Sequence, residues 1–528
     1  MLLHDHRASW LIVLLIGIMA AACAAPAPTA PPVTLPTATR TAAMPTARVS
    51  ATTPPATMDA PATARAPMPS LDPALYRPAM RTEFAADVNS FAHAPRYAID
   101  VAVDLDALQL TGREQVRYTN TDAAPLDEIY FRLLPSAPGY GGAMTVTAVA
   151  LNGQPVTPHL EQQGTALRLP VKLASGASAE VALDFAVSIP RDSSVGYAMF
   201  GQTSGVAALP NFYPVIPVRD ASGWHVEVSP AYGDETFNPT ALYEVTITAP
   251  AGQTVVTSGT CDKPQGHRLH CVSGPMRDFY LAMSADYQVA EQVVDGVTVR
   301  SFYLPAEETG GKRALKVASD AVKVFSRRFG PYPFAELDVA ETATRAGGIE
   351  YPGLVVIADR LYREAGDGSY FDFVVAHEVA HQWWYSLVGN DQINHPWLDE
   401  ALAQYSTILY YEDTVGKSVA NGLVQSVFEA PYQKLLQEKR DQKVDQPVAA
   451  FDEVDYSTVV YRKGPLFFKA LREAMGDARF DAFLKTYFSQ NRYGIATPDR
   501  LLAAAESVAD KATVRSIYAR WIETASTP

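Results

Sequence analysis

Cysteine is almost missing from this chain, with three in 528 residues. That excludes a disulfide-dense scaffold and a cysteine-built metal cluster. Histidine is also scarce, at 10. Positive charge is in deficit, with 43 Lys and Arg against 57 Asp and Glu and a net charge of −14. Such a balance disfavours nucleic acid as a partner and leaves no basic patch for anionic lipid. There is no internal repeat, and past the first twenty residues no apolar run is long enough to cross a bilayer. What remains is a composition that is 48% hydrophobic, normal for globular protein, on a chain long enough for two or three domains.

The one apolar run stands at the start. A short polar stretch with Arg7 leads into residues 10–19, then Ala20-Ala21-Ala22-Cys23. Residues 1–22 read as a secretory signal, too short to span a membrane as a stable helix. Small residues directly before a cysteine resemble a bacterial lipoprotein cleavage site, so lipidation of Cys23 is expected; ordinary cleavage near Ala25 and an uncleaved anchor are the alternatives. All three place the rest of the chain outside the cytoplasm. The expected location is a cell-surface or periplasmic lipoprotein, attached to the bacterial membrane through Cys23. Residues 24–69 are almost wholly Ala, Pro and Thr. They cannot bury a core, and a disordered tether is assigned to residues 23–90.

From residue 91 to 293 the chain reads as strands. Tyr97-Ala98-Ile99-Asp100-Val101-Ala102-Val103-Asp104-Leu105 alternates with a period of two, and the stretches 115–120 and 128–133 continue the pattern. Turn signals recur at Asp122-Ala123-Ala124-Pro125 and Asn152-Gly153, as in an antiparallel β-sandwich. Cys261 and Cys271 flank a turn-rich stretch between two strand patterns. A disulfide is expected there, with free thiols, or a metal site with His267 and His270, as the other possibilities. A second body, residues 294–528, is mainly helical, with amphipathic patterns over 314–329, 371–387 and 465–475 and strand patterns over 337–341 and 354–357. The fold class is multidomain α+β.

Within the second body lies His377-Glu378-Val379-Ala380-His381. Residues four apart share a helix face, so both imidazoles can meet on one metal ion. Glu378 sits beside them, where a carboxylate can take a proton from an activated water. A third ligand is needed, with one position left open. Glu400 follows 19 residues after His381, in Trp397-Leu398-Asp399-Glu400. Gly389-Asn390-Asp391 breaks the first helix and Pro396 starts the next, so the chain can bring Glu400 back to the metal.

These residues, with His381-Gln382-Trp383-Trp384, Phe329-Gly330-Pro331-Tyr332-Pro333 and Gly347-Gly348-Ile349-Glu350-Tyr351, resemble the M1 family of zinc metallopeptidases. These are the gluzincins, including aminopeptidase N and leukotriene A4 hydrolase. The resemblance covers about residues 95 to 525. It implies a thermolysin-like catalytic domain behind the β-sandwich, one Zn2+ per chain on His377, His381 and Glu400, and Glu378 as general base. It implies that Glu350 binds the free α-amino group of a peptide, while the backbone at Gly347 and Gly348 aligns the substrate as an edge strand. Tyr461, before Arg462-Lys463-Gly464, takes the place of the family's catalytic tyrosine, with Tyr456 as the competitor. The family's amine-gripping glutamine has no secure counterpart, Gln202 being the nearest. The chain stops 67 residues after Tyr461, so it resembles a short form without the long C-terminal helical domain. The implied activity is a metallopeptidase acting on peptides, foremost an aminopeptidase. A zinc endopeptidase or other hydrolase on this scaffold, and a non-catalytic surface binding protein, are the alternatives.

Overall fold

The computed structural model describes residues 68–525. The signal segment, Cys23 and the Ala/Pro/Thr-rich stretch up to residue 67 lie outside the described residues. The tether assigned to residues 23–90 is too long at its far end. Three short helical turns, Pro73–Ala79, Thr82–Phe84 and Asp87–Phe91, form a strap. Tyr76 and Val88 are fully buried within it. The apolar side chains interspersed here, Tyr76, Ala79, Met80 and Val88, supply the burial that holds it in place. The strap is clasped to the second body: Arg81 donates through its backbone N–H to the Pro333 carbonyl at 2.9 Å and through Nη1 to the Tyr332 carbonyl at 2.8 Å. Asp87 accepts from the Tyr493 hydroxyl at 3.0 Å and pairs with Arg492 at 2.9 Å.

The N-terminal domain is the expected β-rich body. Its largest sheet has eight strands, with Arg96–Asp104 central, antiparallel to Gln109–Thr119 and parallel to Leu242–Thr248. A three-stranded sheet containing Leu126–Arg132 and Ala166–Leu173 faces it across a core of Ile99, Val116, Ile129, Phe131, Leu169 and Val181. A four-stranded sheet, with Leu281–Ser284 inside it, leads toward the second domain. The predicted turn at Asn152-Gly153 has both residues at positive φ, 50° and 80°, as a two-residue hairpin requires. Cys261 and Cys271 are register partners in adjacent strands and are joined as a disulfide. His270 instead contacts Glu244 and Asp262, so the alternative metal site is not formed.

The domain boundary lies earlier than residue 294. Strand Gln288–Val294 pairs antiparallel with Val297–Tyr303 through the Asp295-Gly296 turn, and both belong to the sheet of the second domain. That sheet has five strands in the order Gln288–Val294, Val297–Tyr303, Glu336–Thr342, Leu354–Ala358, Gly348–Ile349. Gly348–Ile349 is therefore an edge strand, with its outer hydrogen-bonding side free of sheet partners. Helix Glu308–Arg328 packs against this sheet and against helix Tyr370–Ala380. Later helices, among them Gly464–Met475, Asp477–Asn491 and Lys511–Tyr518, close the core behind helix Trp397–Thr414, where Trp397 meets Phe467, Phe468 and Tyr518. Among the described residues no helix is long and apolar enough to cross a membrane.

Candidate metal centre and its cleft

The first metal helix is shorter than its hydrophobic pattern. It begins at Tyr370, where the Ser369 hydroxyl accepts from the Asp372 N–H, and ends at Ala380 with His381 as its C-cap. Every residue from Phe371 to Ala380 is buried, so the helix is apolar all round and its end is not marked by a polar face. Beyond His381 the chain coils into a wide turn, in which Ser386 N–H donates to the His381 carbonyl and Leu387 N–H to the Gln382 carbonyl. This early ending has a chemical result. It frees the Trp384 carbonyl to accept from His381 Nδ1 at 3.0 Å, which fixes the ring and leaves the Nε2 lone pair facing inward. Trp384 Nε1 donates to Ser406 on helix Trp397–Thr414 at 3.0 Å, tying the two metal helices together.

Three donor atoms converge from these helices. His377 Nε2 and His381 Nε2 are 3.2 Å apart, and Glu400 Oε2 lies 3.3 and 3.4 Å from them. A tetrahedral zinc ion with bonds near 2.0–2.1 Å separates its ligands by about 3.3 Å. The triangle thus has the size that the ion demands, and Glu400 Oε2 is buried without a hydrogen-bond partner. Burial works against ionisation of Glu400, but His381 and His377 outweigh it and hold its carboxyl far below the usual range. The donor set fits zinc. His377, His381 and Glu400 are brought together as the sequence implied.

Glu378 points into the same space, 4% exposed. Burial, reinforced by the charge of Glu350, pushes its carboxyl well above the ordinary range. Gly348 lies against it: a Cβ there would come within 2.5 Å of Glu378 Cγ, so the position next to the base excludes any side chain. Tyr461 lies in the π-helical stretch Val459–Lys463 and donates its hydroxyl to Glu400 Oε1 at 2.6 Å. Burial, then the Glu400 charge, raises this phenol, which keeps it a neutral donor. Its competitor Tyr456 is 1% exposed, has no hydrogen-bond partner, and props the Tyr461 ring edge-on at 5.7 Å. Lys463, fully buried, fixes this stretch by reaching Asp441 and the carbonyls of Gln442 and Thr524.

Glu350 follows the edge strand and stands beside the metal ligands, with an oxygen within 4.8 Å of a His381 ring nitrogen. Its Oε1 accepts from Gln392 Nε2 at 2.9 Å, and the same amide donates to Asp399 Oδ2 at 2.8 Å. Gln392 Oε1 accepts from the Thr236 hydroxyl at 2.8 Å, and Thr236 lies 3.1 Å from the Tyr385 hydroxyl, which donates to Asp278 at 2.6 Å. Tyr385 holds φ at 127°, a conformation a bulky side chain rarely takes. Arg277 Nε, donating to its carbonyl at 2.8 Å, helps to hold it. The sequence pointed to none of Gln392, Thr236, Tyr385, Asp278 or Asp234; all sit in irregular segments or strand ends, where no period marks them. Gln202 is not among the residues lining the cavity beside Glu350, and its Oε1 is buried without a partner. It lies in strand Gly201–Thr203, bonded through its backbone to Pro190 and Asp192.

The profile of the "Peptidase family M1 domain" matches residues 313–521. The chain is 28% identical to Aminopeptidase M1 of Arabidopsis thaliana, over 42% of this chain and 26% of the relative. It is 26% identical to Aminopeptidase M1-B of Oryza sativa subsp. japonica, over 55% of this chain and 35% of the relative. It thus spans about a third or less of the length of these two curated relatives. In fold it is similar to an M1 zinc metallopeptidase from Deinococcus radiodurans, with a TM-score of 0.60 at 19% identity, covering 82% of this chain and 96% of the other. A two-domain M1 zinc metallopeptidase bound to L-arginine gives a TM-score of 0.61 at 19% identity, with 82% and 95% covered. Residues 313–521 thus match the peptidase family M1 domain, and with the β-rich N-terminal domain they share the fold of these two M1 zinc metallopeptidases.

Proposed function

We propose that the chain is a zinc-dependent aminopeptidase that removes N-terminal residues from peptides. The observation that carries this reading is the cleft itself, with a zinc-sized donor triangle and, within 4.8 Å of its His381 and Glu400 atoms, the buried carboxylate of Glu350. His377, His381 and Glu400 would hold the ion. A zinc ion so held supplies Lewis acidity toward a carbonyl oxygen and lowers the pKa of water in its open position.

The protein's own residues do the rest. The peptide lies along Gly348–Ile349, whose free edge offers backbone hydrogen bonds to an extended chain. Glu350 receives the terminal ammonium, which sets the register so that the first peptide bond faces Glu378. Glu378 takes the proton of the attacking water and delivers it to the leaving amine; its raised pKa suits both halves of that transfer. Tyr461 turns its hydroxyl from Glu400 Oε1 to the oxyanion that forms at the scissile carbonyl. At the N-terminus, the Ala20-Ala21-Ala22-Cys23 sequence supports export and a lipid anchor on Cys23, which would set the peptidase at a membrane surface.

Purified protein assayed on matched peptides with free and N-acetylated termini tests the reading. Cleavage of the free forms alone, one residue at a time, abolished by a chelator and restored by zinc, is the expected result. Equal cleavage of acetylated peptides would replace it with an endopeptidase. Loss of the lipid label on mutating Cys23→Ala, in cells fed a labelled fatty acid, tests the anchor.

A further inference from the structure

Glu350 alone is a poor seat for an ammonium group. One of its two oxygens is already taken by the Gln392 amide. A second carboxylate faces it across the domain junction. Asp234 lies in the N-terminal domain, on the loop that leads into strand Leu242–Thr248. It borders the same small cavity as Glu350, Tyr197 and Tyr351. Oxygen atoms of Asp234, Glu350 and Glu400 all lie within 4.8 Å of one another. A tetrahedral nitrogen that donates to two acceptors at about 2.8 Å each sets those acceptors about 4.6 Å apart. An ammonium nitrogen can bridge oxygens held within that limit.

The loop is built to hold Asp234 there. Gly233 has φ at 76°, and a Cβ on it would stand 2.8 Å from Val448 Cγ1, so only glycine is accommodated. Its N–H donates to the Tyr197 hydroxyl at 3.0 Å. Asp234 Oδ2 itself is buried with no hydrogen-bond partner, and among the described residues no basic side chain pairs with the carboxylate. A carboxylate oxygen buried without a partner is costly, and a bound cation offsets the cost. The adjacent Glu235 lines the same cavity, but its charge is offset by the nearby Arg132. Its carboxyl is packed against Gly139, where a Cβ would lie 2.0 Å from Oε1.

From this geometry we infer that Asp234 is a substrate-binding residue, the second anionic contact for the terminal ammonium of the peptide, so that the charge is held between two carboxylates from two domains. This deepens the aminopeptidase reading and rests on it. The role that a glutamine was expected to fill is taken by a charged residue on a different segment.

The test compares two inhibitors, leucine hydroxamate and its des-amino analogue 4-methylpentanohydroxamate, which share the metal-binding group and differ only in the amine. The wild-type protein should bind the amino compound at least 10-fold more tightly. Asp234→Asn should cut that preference by about 10-fold or more while leaving the des-amino constant unchanged, the latter showing an intact metal centre. Asp234→Ser gives the same comparison if the first variant does not fold. A preference retained within twofold in a folded variant overturns the role of Asp234 while leaving the aminopeptidase reading intact. A wild-type protein that binds both compounds alike overturns that reading and the role of Asp234 together.

Discussion

On one side of the cleft, helix geometry delivers the donor atoms. His377 and His381 are one turn apart on a helix buried on all sides, and Glu400 stands in the first turn of another. On the other side nothing is periodic. Glu350, Asp234, Thr236, Tyr385 and Gln392 come from strand ends and loops of both domains, and a chain of hydrogen bonds from Asp278 to Asp399 holds several of them together. The metal side is fixed by packing, so each of its residues has its own job. The amine side is fixed by shared hydrogen bonds, so a change at one residue alters its neighbours.

The sharpest way to break the comparison is on the metal side. Glu378→Gln should lower kcat by about 10^3-fold or more with zinc content unchanged, measured by steady-state assay beside metal analysis. Normal turnover in that variant would remove Glu378 as the base. Tyr461→Phe should cost about 10^2-fold in kcat with little change in KM, since its hydroxyl acts only once the oxyanion forms. On the amine side, Gln392→Ala removes the amide that holds Glu350 and Asp399 without touching the metal ligands. It should raise KM for free-amine peptides about 10-fold and leave zinc stoichiometry at one; a KM that does not move would mean that the network adds no positioning.

The smallest effect on catalysis, none, is expected far from the cleft. Glu114 in strand Gln109–Thr119 is 1% exposed, neither carboxylate oxygen has a hydrogen-bond partner, and burial pushes its pKa well up. The folded state therefore keeps a proton that the unfolded state has released. Stability falls as pH rises above the ordinary carboxylate range, by about 1.4 kcal/mol per pH unit while the folded group stays protonated. Glu114→Gln should lose that component of the slope and melt higher than the wild type at pH 7, with the gap closing near pH 4. Parallel melting curves across this range would show that Glu114 carries no such burden.

The contrast between the two sides also explains what the sequence could tell. His377, Glu378 and His381 follow helical spacing and Glu400 opens the next helix after a marked break, and such signals survive in a string of letters. Glu350 and Tyr461 were reached only through resemblance, and the structure places both beside the metal ligands. Asp234 and Gln392 left no trace, because the contact between Gln392 and Glu350 spans 42 positions of chain with no repeat to announce it. The end of the first metal helix was misjudged because Trp383, Trp384 and Leu387 prolong the apolar pattern through a turn. The strap was missed because its few anchors, Tyr76 and Val88 among them, follow directly on a stretch rich in Ala and Pro.

That strap decides where a pull on the N-terminal end of the chain would be felt. Arg81 and Asp87 fasten it to Tyr332, Pro333, Arg492 and Tyr493 before the first sandwich strand begins at Arg96. Tension arriving from upstream therefore reaches the helical half of the molecule as well as the strands. The β-rich half shares that anchorage, because Arg96 at the start of its first strand donates to the Ser70 carbonyl at 2.6 Å, so such a pull is divided between both walls of the cleft.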